Sequence, residues 1–194
     1  MARTSHLRRT DVNAGGGSAR TGPGGKRPVF RFVGVFAILM VAFYACTFIP
    51  MLQKDFLPRL QRVNAVASTA ILNLFGESAT SRDTNIVTPR YPLNVAHGCD
   101  AVEPIALFVA AVLAFPTRWT PKIPGLLIGT AVLAVLNLVR IVSLYYTGVH
   151  WPTAFETMHV DVWQPAFIVL SLFFWVLWAL WATRPSAIPA NVAS

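Results

Sequence analysis

The chain has 194 residues, of which 55% are hydrophobic and only 12% charged, and its mean hydropathy is +0.55. A soluble domain carries about 25% charged residues, so a protein bathed in water on every side is excluded. The net charge of +8 does not point to nucleic acid. Seven of the sixteen Lys and Arg residues (Arg3, Arg8, Arg9, Arg20, Lys26, Arg27 and Arg31) lie before or at the very start of the first apolar stretch, which suits a cytoplasmic tail under the positive-inside rule.

Residues 1–28 are rich in Gly, Arg, Ser and Thr, which predicts a disordered basic tail with too little apolar surface to order itself. The apolar run Phe30–Pro50 reads as an uncleaved first span running from inside to outside, since no A-x-A-like site with a polar region follows it. Between Phe56 and Gly76, helical spacing puts Leu57, Leu60, Val63, Val66 or Ala67, Ala70, Ile71 and Leu74 on one face. That pattern predicts an amphipathic helix on the outer surface or packed on the bundle. The β-branched, proline-containing stretch from Thr80 to Asp100 predicts extended chain with a short hairpin.

The second apolar run, Ala101–Phe115, has fifteen residues, short against the about 20 that a spanning helix wants. Either it continues through Trp119 or it sits where neighbours thin the bilayer. A basic turn, Pro116–Lys122, leads to a third span, Ile123–Tyr146, in which Gly125 and Gly129 form a G-x-x-x-G pair that admits another helix closely. The fourth span is Val162–Ala182, followed by a polar tail over 185–194. The expected fold is an all-α membrane protein. It is a bundle of about four transmembrane helices over residues 29–184, with an outer amphipathic helix and a short extended segment. Both termini lie inside. The 116–122 turn is then inside with Arg118 and Lys122, and the 147–161 loop outside with Glu156 and Asp161, as the charge rule requires.

This threading brings three chemically distinct residues to one membrane face. Cys99 precedes span two, in a polar turn that opens a helix, where a helix N-terminus would lower the thiol pKa. Arg140 lies seventeen residues into span three, about 26 Å along it at 1.5 Å per residue. His159 precedes span four. A thiol, a fixed cation and an imidazole together can perform nucleophilic catalysis. Asn137, one helical turn before Arg140, could orient it or add a hydrogen bond. Glu103 is the other candidate partner for Arg140, and Glu156 and Asp161 could orient the imidazole of His159. His97 and His150 compete with His159, and Cys46 reads as packing. With only Cys46 and Cys99 present, the alternatives are a non-enzymatic subunit or scaffold with a Cys46–Cys99 disulfide, or a small transporter with Arg140 on its pathway.

GCDAVEP around Cys99, LNLVRIVSLYY around Arg140 and FETMHVDVWQ around His159 resemble the exosortase/archaeosortase family of membrane cysteine transpeptidase-like enzymes. The resemblance covers residues 90–182. The small size and the NLVRI and H-x-x-x-W-Q forms are most similar to the exosortase H branch. It implies Cys99 as nucleophile, Arg140 as electrostatic stabiliser and His159 as acid/base. The implied substrates are membrane proteins with a C-terminal sorting signal: a motif, an apolar span and a basic end. It also implies a place in the bacterial cytoplasmic membrane with the site facing the periplasm or exterior, and chemistry that calls for no metal or organic cofactor. Relatives often have C-S-G or C-N-G where this chain has Cys99-Asp100-Ala101. Ala supplies φ > 0 less readily than Gly, so the local backbone or substrate fit is expected to differ.

Overall fold

Long apolar runs satisfy their backbone within hydrocarbon by coiling into helices, and four of the five long helices here arise that way. The computed structural model describes residues 26–95 and 98–184. The helices are α1 (Lys26–Thr47), α2 (Leu57–Leu74), α3 (Val102–Ala114), α4 (Trp119–His150) and α5 (Gln164–Ala182). Three apolar stretches are long enough to cross a membrane: Pro28–Thr47, Trp119–His150 and Thr157–Ala182, of 20, 32 and 26 residues. The molecule is an α-helical membrane protein. Most of the predicted basic tail, residues 1–25, lies outside the described residues, as does 185–194.

α3 is the shortest apolar helix and the central one, packing against α1, α4 and α5. Its 13 residues cover about 20 Å. It does not continue through Trp119, because Phe115 turns to an extended ψ of 131°. α4 instead starts four residues earlier than the hydropathy suggests, with Pro121 and Pro124 near its start, where few intrahelical N–H groups are lost. Lys122, expected as an exposed cytoplasmic charge, is buried and donates Nζ–H to the Leu113 carbonyl at 2.7 Å, capping the end of α3. The G-x-x-x-G pair serves contacts within the chain. A Cβ at Gly129 would lie 2.1 Å from Phe108 of α3, and one at Gly125 would lie 2.0 Å from Trp178 of α5.

The extended region forms a three-stranded antiparallel sheet in chain order: β1 (Thr80–Arg82), β2 (Asn85–Val87) and β3 (Leu93–Asn94). Ile86 and Leu93 pair on its buried face and join a core with Leu72 of α2 and Ile141, Leu144 and Tyr145 of α4. The predicted amphipathic helix is present, but its apolar stripe is divided between inside and outside. Leu57, Leu60 and Ile71 are half-buried, while Val63, Val66 and Leu74 point outward beside the exposed Arg59 and Arg62, with Leu74 86% exposed. Asn64, Ala65, Ser68, Thr69 and Leu72 pack inward, and these mostly small side chains let α2 approach α4 and the sheet closely.

Candidate active site

Three loops and helix ends converge at the start of α3. Val95 hydrogen-bonds back to Thr84 at 2.8 Å, directing the chain from the sheet toward Gly98 and Cys99. Asp100 then caps α3, accepting the Val102 N–H at 3.2 Å through Oδ1 and the Gln61 side-chain amide of α2 at 3.2 Å through Oδ2. Ala101 adopts φ 59° and ψ 14°, the left-handed conformation. Ala101 thus holds a backbone conformation that glycine adopts most readily. The left-handed region costs an L-residue roughly 1–2 kcal/mol.

Cys99 is buried, and its Sγ lies 3.0 Å from Nε2 of His159. His159 is carried by a π-helical stretch, Thr157–Trp163, that runs directly into α5. Wider turns of this kind shift side chains off the regular helical register, and here the imidazole faces the thiol. Phe155 packs near the ring at 6.0 Å between centroids. Among the described residues, neither Glu156 nor Asp161 hydrogen-bonds to the imidazole; both are exposed, and Glu156 reaches it only through its charge. His150 is exposed at the end of α4, stacked on Tyr146, and His97 lies outside the described residues.

Arg140 is 2% exposed, and its charge bears on both Cys99 and His159. Its guanidinium carbon lies 5.5 Å from the ring centroid of Phe167. Among the described residues, its Nε and Nη2 have no hydrogen-bond partner. Among the described residues Glu103 forms no ion pair with Arg140, although both line one cavity of about 150 Å³ with Gly98, Gln164 and Phe167. Asn137 does not orient Arg140. Its amide Nδ2 donates to the Cys99 carbonyl at 2.9 Å and, more weakly, to Asn64 Oδ1 at 3.4 Å.

Burial pushes the Cys99 thiol above its ordinary pKa; the Arg140 cation opposes this, and the Asp100 carboxylate adds to it. The helix N-terminus therefore does not set the thiol's state as expected. Ala101 is the N-cap, so Cys99 lies two residues outside the helix, beside an anion. The resting group is the thiol, with a base in hydrogen-bond reach. Cys46 and Cys99 are both free, so the disulfide alternative does not form, and Cys46 is exposed on α1 rather than packed.

A profile of transmembrane exosortases matches residues 27–179. The chain belongs to the transmembrane exosortase family. No curated protein and no solved structure matches it. The match takes in all five long helices and the sheet of this exosortase, in agreement with the resemblance read from the three motifs.

Sequence reasoning missed Gln61 and Asn64 of α2, which no spacing ties to Cys99, and assigned no role to Gln164 although the motif around His159 includes it.

Proposed function

We propose that the chain is an integral-membrane cysteine protease or transpeptidase that cleaves C-terminal sorting signals of exported proteins at the outer face of the bacterial cytoplasmic membrane. The observation that carries this reading is the 3.0 Å contact between Cys99 Sγ and His159 Nε2 beside a buried guanidinium. Family membership supports a substrate that ends in a short motif, an apolar span and a basic end, and the basic residues that precede α1 support an orientation with the site outside.

His159 Nε2 takes the thiol proton, and the thiolate attacks the scissile carbonyl carbon. The carbonyl π electrons move to oxygen, and Arg140, whose Nε and Nη2 have no other acceptor, stabilises that oxyanion. When the tetrahedral intermediate collapses, the C–N bond breaks, and the leaving nitrogen takes the proton from the imidazolium. A thioester on Cys99 remains. Water or an amine then attacks the thioester carbon while His159 accepts its proton; the C–S bond breaks, and the imidazolium returns that proton to the leaving thiolate, restoring the thiol. Hydrolysis and transpeptidation share every residue and differ in the last nucleophile. Asn137 supports the site by holding the Cys99 carbonyl; Glu103 and Glu156 are supporting groups at its margin.

The test is co-expression of a membrane reporter carrying a tripartite C-terminal signal with wild type, Cys99→Ser and His159→Ala. Processing by wild type alone is expected; processing at the wild-type rate by Cys99→Ser overturns the nucleophile assignment.

A further inference from the structure

α1 and α5 both pack on α3, and they meet at the end away from Cys99. There Phe32 stacks on Trp175 with ring centroids 5.6 Å apart, and Phe115 closes edge-on against both. Toward Cys99, the space between the same two helices is the cavity of about 150 Å³, with Met40 and Tyr44 on the α1 wall and Gln164 and Ile168 on the α5 wall. Arg140 lines it too, and among the described residues its Nε and Nη2 have no acceptor. A buried donor without an acceptor is rare in a folded protein, so this cavity is built for a ligand that brings one.

Chemistry narrows the ligand. Gln164 offers an amide that both donates and accepts, and Gly98, next to Cys99, offers bare backbone. Together with Arg140 they match the alternating carbonyl and N–H groups of a peptide. An anionic lipid headgroup would meet the Glu103 carboxylate on the same wall. A groove of about 360 Å³ between α4 and α5, lined by Gly129, Leu177, Trp178 and Trp181, offers no charged group; a larger one of about 930 Å³, lined by Arg31, Arg118 and Lys122, lies by Phe32 and Phe115, the end away from Cys99.

We infer that the substrate chain reaches Cys99 from the lipid through the cleft between α1 and α5, its backbone received by Arg140 and Gln164, with α1 as the wall that gives way. This rests on the proposed processing function and specifies the docking surface for the substrate's apolar segment. The Phe32–Trp175 contact would hinge the cleft at its closed end. No residue along the membrane-spanning length of α1 is fully buried in the bundle, so its outward movement would part half-buried contacts with α3 and leave the buried core in place.

The test uses the full chain as Cys99→Ala, co-expressed with the uncleaved tripartite-signal reporter and carrying a photo-crosslinking phenylalanine analogue at one position. Adducts with the reporter are expected from Met40 and Ile168, and none from Ile128 and Leu177 in the α4/α5 groove. Adducts from the groove alone, or from none of the four positions, overturn the route while leaving the function intact, provided wild type still cleaves the reporter and Cys99→Ala does not. Cleavage by Cys99→Ala overturns the proposed function itself, and the cleft with it.

Discussion

Asn137 donates its side-chain amide to the carbonyl oxygen of Cys99 at 2.9 Å. The turn carrying the proposed nucleophile is thereby fastened to α4, three residues before Arg140 on the same helix. Cation and thiol are held in register by one side chain that touches neither. In Asn137→Ala the Cys99 carbonyl loses its side-chain donor in a buried place, at a cost of about 1–3 kcal/mol. We predict a lower thermal midpoint in detergent and a changed rate of Cys99 alkylation. An unchanged alkylation rate would show that the bond does not position the thiol.

The three reactive residues should fail differently. Loss of a general acid/base typically costs about 10²–10⁴-fold, so His159→Ala should slow single-turnover cleavage of the reporter by that range. Arg140→Gln should cost about 10²–10³-fold, as for other oxyanion donors. His150→Ala should leave the rate unchanged, since His150 stacks on Tyr146 away from the thiol. An equal loss in His150→Ala would sink the assignment of His159.

The direction of the Cys99 shift makes a pH prediction. Burial raises the thiol pKa and the Arg140 charge lowers it, with burial the larger effect. Because alkylation proceeds through the thiolate, its rate should rise with pH and reach its midpoint above that of a free cysteine. Removing the cation in Arg140→Gln takes away the opposing effect, so the midpoint should move further up. A profile that moves down in Arg140→Gln contradicts the proximity of the two groups.

Ala101 holds a left-handed backbone at φ 59°. Ala101→Gly relieves the Cβ clash and should stabilise the protein by about 1 kcal/mol, measured as a higher thermal midpoint with processing retained. Ala101→Val should move the midpoint the other way. Loss of stability in Ala101→Gly would mean that the methyl group contributes packing that outweighs the strain.

Hydropathy located the spans well, because in hydrocarbon a helix is the only open-ended way to satisfy a backbone. It did not show how α2 packs: Ser68 and Thr69 turn inward, while Val63 and Val66 face outward beside Arg59 and Arg62. It also missed the early start of α4, where Pro121 reads as part of a turn but falls within the first helical turn. At the site, Cys99, Arg140 and His159 were legible because threading alone aligned them. The π-helical stretch that aims His159 was not, since nothing in Thr157–Trp163 sets an i, i+5 pattern apart from an ordinary helix. Nor were the contacts from α2, because Gln61 and Asn64 act across long stretches of chain. The glycine-less turn was legible as a departure, and its backbone consequence is the strain at Ala101.

Lys122 caps α3 at one end, and Asn137 holds Cys99 at the other. Fifteen residues of α4 separate these two points, about 22 Å of helix, against a hydrocarbon layer about 30 Å thick. The span between the α3 cap and the Cys99 anchor is thus shorter than the hydrocarbon layer is thick. Under the proposed function that span would act as a ruler. The bond that meets Cys99 would be set by how many residues of substrate fit between the thiol and the anchoring charge, so depth would select the cut alongside sequence.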